Sequence, residues 1–167
     1  MTILSNFYED IVVGERFELG AKTFDTDYIK GFAVNYDPQS FHVDEEAAKK
    51  SHFGALCASG WQTISTWMRF YVDLNMADRA AKTERGEALP EIGVSPGIEQ
   101  LKWKRPVYVG DEISYSEIVT AKRPLNSRPG WGLVTSDCLG HNQAGELVLS
   151  FVSKSMVQMR SESATQP

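Results

Sequence analysis

The chain has 167 residues, 42% of them hydrophobic, which is enough for one domain with its own buried core. Its formal net charge of −5 argues against nucleic acid or an anionic membrane surface as the main partner. Acidic residues interrupt the N-terminal region, and no apolar run approaches the ~20 residues of a membrane helix, so neither a signal peptide nor a membrane span is predicted. The two cysteines, Cys57 and Cys138, lack metal-type spacing and are typical of reduced thiols in a cytoplasmic protein.

The first fifty residues are predicted to form short elements: a strand over 16–24, a helix over 27–35, a loop over 37–42 and a helix over 44–50. Thr26 is the predicted N-cap of the first helix. Pro38 ends that helix, because proline disfavours the helical conformation in the residue before it. The loop that follows is expected to be accessible to solvent.

The longest predicted helix runs from Ala58 to Asn75, and the rest of the domain is expected to wrap around it. At helical period, large apolar side chains cover well over half of its circumference: Trp61, Ile64, Trp67, Met68, Tyr71, Val72 and Leu74. Gln62 and Thr66 belong to the narrow polar stripe that remains. Ser59 is the predicted N-cap, and Gly60 lies in the first turn, where free N–H groups and the helix dipole favour negative charge on a ligand.

The remainder of the chain changes period from helical to alternating. Residues 76–90 are charged and poor in large apolar side chains, which predicts an exposed helical turn and a mobile loop. Four strands follow, over 94–105, 112–122, 132–140 and 146–159, and their short links indicate antiparallel meanders. Residues 161–167 are predicted to be a disordered polar tail. The order of elements predicts an α+β fold: a single domain over 1–160, with an antiparallel sheet wrapped around a long central helix.

Asp37 and His42 are candidate acid–base groups, because Pro38 restricts the backbone of the short segment that carries both. A carboxylate and an imidazole held together can share one water molecule, with one group taking its proton while the other exchanges a proton with a carbon atom. Their reference pKa values of ~3.9 and ~6.5 make them complementary near neutrality. An aspartate before proline is also a common turn starter, and a loop histidine is often only polar surface, so spacing alone leaves both interpretations open.

Several short segments carry a family resemblance: Phe32-Ala33, Asp37 to Asp44, Phe53-Gly54, Ala58 to Trp61, Trp103 to Val107 with Gly110-Asp111, and Asn142 to Val148. Together they resemble the MaoC-like dehydratases, the hot-dog-fold group that contains the (R)-specific enoyl-CoA hydratases. The resemblance spans nearly the whole chain in the expected order. The family carries an aspartate and, five positions later, a histidine, which Asp37 and His42 match. Its frequent Asn-Pro pair between them is Gln39-Ser40 here, a difference that concerns the hydrogen bonding of the loop.

The resemblance implies a single hot-dog domain in which Asp37 and His42 are catalytic and the Gly60 N–H donates to a thioester carbonyl oxygen. Hydration of an unsaturated thioester builds enolate charge on that oxygen, which preorganised N–H donors stabilise. In the alternative interpretation, Gly60 only permits close packing at the helix entrance. The candidates for substrate binding are Ser59, Phe41 and Trp61. For Ser59, a capping role is favoured over that of a nucleophile.

Basic residues near the third quarter of the chain leave two interpretations open. Lys102, Lys104 and Arg105 could meet the phosphates of coenzyme A or the acidic face of a carrier protein. The simpler interpretation, which the alternating pattern favours, is that Lys102 and Lys104 form the outward face of a strand whose Leu101 and Trp103 face inward.

The function that the resemblance implies is that of a lyase of fatty acid metabolism. It would reversibly add water to a trans-2-enoyl-CoA, or a related unsaturated acyl thioester, to give the (R)-3-hydroxyacyl thioester. The resemblance also implies a homodimer or higher homo-oligomer, no metal or other cofactor, and a substrate carried by coenzyme A or acyl carrier protein. The alternatives are a hot-dog acyl-CoA thioesterase, which would aim water at the carbonyl carbon, and a non-catalytic module that binds acyl thioesters.

Overall fold

The computed structural model describes residues 2–160, so the predicted tail over 161–167 lies outside the described residues. Two 3-10 turns, Ile3–Ser5 and Tyr8–Asp10, precede the first strand. The strands are β1 (Arg16–Thr23), β2 (Gly97–Trp103), β3 (Glu112–Pro124), β4 (Trp131–His141) and β5 (Leu147–Gln158). The helices are α1 (Thr26–Tyr36), α2 (Ser40–Val43), α3 (Glu45–Lys49) and α4 (Gly60–Glu84). This order confirms the predicted α+β fold.

The five strands form one antiparallel sheet in the order β1-β3-β4-β5-β2. The predicted meander is confirmed for β3, β4 and β5, which pair with one another in sequence. It is wrong for β2, which pairs with β5 at the opposite edge from β1. The link between β2 and β3 instead contacts the segment that leads into α4, where the Ala58 N–H donates to the Val107 carbonyl at 2.8 Å.

Helix α4 packs against the sheet and supplies the centre of the core. Trp67 is buried, lies edge-on to Phe151 with ring centroids 4.9 Å apart, and donates from Nε1 to the Ser116 carbonyl at 3.3 Å. Tyr71 stacks on Trp67 one turn later, with ring centroids 5.0 Å apart. The predicted central helix is therefore confirmed.

The predicted orientation of α4 is wrong over part of its surface. Trp61 and Met68 are 56% and 46% exposed, whereas Gln62 and Thr66 are buried. The buried polar pair faces α1, where Gln62 Nε2 donates to the Tyr28 carbonyl at 2.7 Å and Thr66 Oγ1 is 2.8 Å from the Tyr28 hydroxyl oxygen. Hydrogen bonds to α1 satisfy the Gln62 amide N–H and the Thr66 hydroxyl, which favours the burial of this pair, although Gln62 Oε1 has no hydrogen-bond partner among residues 2–160.

The predicted end of the long helix at Asn75 is also wrong, because α4 continues without a break to Glu84, and the loop predicted within 76–90 begins only at Arg85. Asn75, Arg79 and Lys82 recur on one face of the helix and bind the N-terminal segment instead of solvent. Asn75 Oδ1 accepts from the Leu4 N–H at 2.8 Å, and Arg79 donates to the Leu4 carbonyl at 2.6 Å. Lys82 is buried and donates to the Ser5 carbonyl at 2.9 Å.

Two smaller corrections concern the segment before the site. The N-cap of α1 is Asp25, whose carboxylate accepts from the Tyr28 N–H at 2.8 Å, and Thr26 is the first helical residue. The segment predicted as a loop contains α2, a single helical turn. Within residues 2–160, no helix is long and apolar enough to cross a membrane.

Candidate active site

Asp37 and His42 come together through a helix end and a single helical turn. The Asp37 N–H donates to the Ala33 carbonyl at 2.8 Å as the C-cap of α1, and Pro38 prevents the helix from continuing. The Gln39 N–H then folds back onto the Asp37 carbonyl at 2.8 Å, and the His42 N–H donates to the Gln39 carbonyl at 2.9 Å. These backbone hydrogen bonds hold residues 37–42 in one compact turn, so that Asp37 and His42 lie close together.

The two side chains face each other with His42 Nε2 3.5 Å from Asp37 Oδ2. His42 is only 5% exposed, so the expectation of a solvent-accessible pair is wrong for the histidine. Its Nδ1 is 2.7 Å from the Cys57 carbonyl oxygen. Because a carbonyl can only accept, Nδ1 carries a proton and donates to it. The other ring nitrogen, Nε2, therefore faces the Asp37 carboxylate across the gap.

The Asp37 carboxylate is held by two further donors. The Ser59 hydroxyl donates to Oδ2 at 2.6 Å, and Gln39 Nε2 donates to Oδ1 at 2.8 Å. Partial burial acts to raise the pKa of Asp37, but these hydrogen bonds and the nearby His42 imidazole outweigh it, so the pKa lies below its usual value. Asp37 is therefore ionised at neutral pH. Gln39, in the place of the family's usual asparagine, still supplies an amide donor.

Ser59 has two roles in this arrangement. Its hydroxyl oxygen accepts from the Trp61 N–H at 3.2 Å, so the predicted N-cap of α4 is confirmed. The same hydroxyl donates to Asp37, a bond that sequence reasoning did not anticipate. Ser59 thus joins the carboxylate to the start of the central helix.

Gly60 opens α4, and its N–H has no acceptor within the helix because it belongs to the first turn. Trp103 packs directly on it: Nε1 donates to the Gly60 carbonyl at 2.8 Å, and ring atoms lie 2.6–2.8 Å from the position that a Cβ would take. Close packing at the helix entrance is thus real. The prediction that Trp103 faces the core is wrong, since the end of edge strand β2 lies over the helix entrance and leaves this side chain 45% exposed.

All the predicted site residues line one pocket of about 490 Å³, and they are Asp37, Phe41, His42, Ser59, Gly60 and Trp61. Phe53 and His52 also line it, and their rings lie 3.9 Å apart at its aromatic rim. Lys104 and Arg105 line the pocket as well, whereas Lys102 lies in a groove with residues of β4 and β5. Binding of phosphate by Lys104 and Arg105 stays a prediction.

The pocket lining also includes residues that were not predicted as part of the site, among them Gln39, Cys57 and Trp103. Their local sequence carries no signal for it, apart from the glycine at position 60, which marks a place where another group can approach closely. Burial raises the pKa of Cys57 to about 11, so its thiol stays neutral at physiological pH. In the described part of the chain, no group of three or more His, Cys, Asp and Glu side chains is arranged to hold a metal ion.

Comparison with known proteins places this geometry in a family. The model of the MaoC like domain matches residues 11–130, a range that contains every predicted site residue. The chain belongs to this MaoC-like family. Its sheet and central helix have the hot-dog architecture of the family's solved structures, which confirms the predicted fold.

Three solved structures show how far the likeness extends. The MaoC-like dehydratase from Rhodospirillum rubrum is 37% identical, with a TM-score of 0.77 over 93% of this MaoC-like chain and 99% of the other. The monoamine oxidase regulatory protein from Archaeoglobus fulgius is 26% identical, with a TM-score of 0.81 over 96% and 100% of the two chains. The unliganded (R)-hydratase from Pseudomonas aeruginosa is 21% identical, with a TM-score of 0.65 over 94% and 88%, and shares the fold.

Proposed function

We propose that this MaoC-like domain is a hydratase/dehydratase of acyl thioesters. It would add water reversibly to a trans-2-enoyl-CoA, or a related unsaturated acyl thioester, to give the (R)-3-hydroxyacyl product. The observation that carries the proposal is the facing pair of a carboxylate and an imidazole, with Asp37 Oδ2 and His42 Nε2 3.5 Å apart in the wall of the pocket. Membership of a family that includes hydratases and dehydratases supports the same reaction.

When His42 is in its neutral form, the pair can hold a single water molecule that donates one proton to each side chain. In this orientation the lone pairs of the water oxygen are free to attack the β-carbon of the substrate. One of the two side chains takes a proton from the attacking water, and the pair delivers this proton to the α-carbon on the same face. The hydroxyl group and the proton that are added both originate from water, so the reaction balances without another reactant.

The entrance of α4 supplies the complementary part of the mechanism. Negative charge moves onto the thioester oxygen as the carbon–oxygen bond forms, and the Gly60 N–H would donate to it. The positive end of the α4 dipole lies at the same residue and stabilises the same charge. The Ser59 hydroxyl holds Asp37 beside this donor, so the acid–base pair and the oxyanion donor keep a fixed relation.

The carrier of the acyl group is coenzyme A or acyl carrier protein. Lys104 and Arg105 in the pocket lining offer positive charge to the phosphate groups that both carriers share. Arg105 also forms an ion pair with Glu146 at 3.1 Å, which partly neutralises its positive charge. We propose a cytoplasmic location, which the two free and buried cysteines favour.

An assay of the purified protein on two substrates separates the proposal from its alternatives. With crotonyl-CoA we expect loss of the enoyl absorbance, and with saturated butyryl-CoA no release of free thiol. Release of thiol would indicate the thioesterase, and no reaction with either substrate would indicate a binding module. The Asp37→Asn protein, prepared in the same way, controls for contaminating hydratase.

A further inference from the structure

The contact between Trp103 and Gly60 joins the edge of the sheet to the first residue of the central helix. The backbone around Trp103 is fixed by the pairing of Trp103 with Leu149 and by the bond from the Lys104 N–H to the Val148 carbonyl at 2.8 Å. The indole then reaches over the helix entrance and donates to the Gly60 carbonyl at 2.8 Å. A rigid strand thereby holds the start of a helix through one side chain.

The environment of Trp103 is unusual for a purely structural residue. Its side chain is 45% exposed, so only part of its apolar surface contributes to the core. The Gly60 carbonyl it binds also accepts from Thr63 Oγ1 at 2.7 Å, so the indole is not needed to satisfy that carbonyl. Trp61 meets the same indole edge-on, with ring centroids 5.4 Å apart, and limits its rotation.

Glycine is the residue that most needs such a restraint. It has more backbone freedom than any other residue, and the first turn of a helix frays. A donor that stabilises developing charge is effective only when it is already oriented before the reaction. No side chain at position 60 could provide the restraint, because a Cβ there would collide with the ring.

We propose that Trp103 is a positioning residue, which clamps Gly60 so that its N–H is preorganised as the oxyanion donor. This inference rests on the proposed hydratase function. Trp103 does not touch the reacting atoms in this role. It acts through Gly60, and its loss should therefore reduce the rate of the chemical step more than the affinity for the substrate.

The test replaces the indole by a ring that cannot donate, Trp103→Phe. On crotonyl-CoA we expect kcat to fall by ~10-fold, less than the ~10²–10³ expected for complete loss of a donor, while KM changes by less than about twofold. Nuclear magnetic relaxation should show the order parameter of the Gly60 amide falling from ~0.85 to below ~0.6. Trp131→Phe, at the start of β4 and outside the pocket, is the matched control and should change neither. Trp103→Leu replaces Trp103→Phe if the latter does not fold.

The outcomes separate a failure of the positioning role of Trp103 from a failure of the proposed hydratase function. An unchanged kcat in an active parent, or a change in KM alone, would overturn the positioning role and leave Trp103 as a pocket wall. If the parent does not hydrate enoyl thioesters, the proposed function fails, and the relaxation measurement decides the clamp separately. An unchanged Gly60 order parameter would then overturn the clamp, and a lowered one would support it.

Discussion

Two helical glycines in this domain should respond in opposite ways to the same substitution. At Gly60 a Cβ would lie 2.6 Å from the Trp103 ring, whereas at Gly31, within α1, it would meet nothing within 4 Å. Gly60→Ala should therefore destabilise the domain by ~1–3 kcal/mol through overpacking. Gly31→Ala should stabilise it by ~0.5–1 kcal/mol, because alanine has less backbone freedom to lose. Urea unfolding of both variants measures the difference.

A second variant identifies the cause of the Gly60 effect. In a Trp103→Ala background, the added Cβ has space, so Gly60→Ala should cost at least ~1 kcal/mol less than in the parent. Equal costs in the two backgrounds would show that the ring is not the obstacle. Gly60→Pro would remove the Gly60 N–H and would also bring a Cβ into collision with Trp103. Its effect on the rate would therefore not measure the contribution of the N–H donor alone.

Glu117 is a buried carboxyl group outside the proposed site. It is 1% exposed on β3, and its Oε1 accepts from the Ser153 hydroxyl at 3.4 Å. Burial raises the pKa of Glu117 to about 7, although hydrogen bonds from Ser136 and Ser153 act to lower it. Below about pH 7 the protonated form is therefore favoured in the folded protein, whereas the unfolded chain releases the proton near the ordinary pKa of 4.5.

This difference predicts a decline in stability as the pH rises. The folded state binds more protons between about pH 4.5 and pH 7, so the contribution of Glu117 is largest below that range and falls by about 1.4 kcal/mol per pH unit within it. Glu117→Gln should remove this slope from urea unfolding measured between pH 5 and pH 7. Glu112→Gln, at an exposed position of the same strand, should retain the parental slope. Parental behaviour in Glu117→Gln would contradict the assignment.

At the scale of elements, the sequence predicts order and type better than it predicts contacts. The periodicity of Trp67 and Tyr71 correctly indicates a central helix, and the alternation in the last third correctly indicates strands. The mismatch at Gln62 and Thr66 arises because hydrogen-bond partners on α1 made their burial possible. Sequence patterns predict that a polar residue is exposed. They do not show a hydrogen-bond partner that lies far away in the chain and makes burial possible.

The same reasoning explains which parts of the site were found. Asp37 and His42 could be singled out because they are close in sequence and their spacing matches that of the family the chain resembles. The Trp103 contact spans 43 residues and depends on β2 lying at the sheet edge. Such a contact follows from topology, which the pattern of β2 alone did not indicate.

The second half of α4 should depend on its bonds to the N-terminal segment. Lys82→Met keeps the aliphatic stem but leaves the Ser5 carbonyl and Asn6 Oδ1 without this donor. We expect a loss of ~1–3 kcal/mol in the free energy of unfolding. The control, Lys49→Met, removes a lysine that is exposed and paired only on the surface, and should have no measurable effect. Equal midpoints for the two variants would show that the N-terminal bonds contribute little.

At the scale of the whole molecule, the uncovered face of α4 predicts self-association. Its exposed apolar side chains recur along one stripe of the helix: Trp61, Met68, Val72 and Met76. Strand β2 borders the sheet with one edge that pairs with no other strand among residues 2–160. We propose a two-fold homodimer, possible as sheets joined edge to edge or as helices packed together.

Light scattering at micromolar concentration measures this assembly directly. The parent should have the mass of a dimer. If the α4 helices form the contact, Val72→Glu should shift it to the monomer because a charge would be buried there, whereas a dimer joined through β2 should persist. Val34→Glu, which also replaces an exposed valine but lies on α1, should remain dimeric. A fully active monomeric parent would overturn the proposal.

Variants of Asp37 and His42 test whether the protein is a hydratase, and their effects on stability have to be separated from their effects on activity. Asp37→Asn keeps the shape of the side chain and removes its basicity. His42→Ala leaves the Cys57 carbonyl without its donor inside a buried site, so we expect a loss of ~1–3 kcal/mol in stability as well as activity. His42→Gln, which can retain that bond, is therefore measured beside it.

The most direct test is the turnover of crotonyl-CoA by the parent, Asp37→Asn, the His42 variants and the double variant, with chiral analysis of the product. Each single variant should lower kcat by ~10²–10⁴ while remaining folded. The double variant should lose little more than the worse single one, because both residues act on one water molecule. The parental product should be the (R)-3-hydroxyacyl thioester. A near-parental rate in Asp37→Asn, or an (S) product from the parent, would contradict the account.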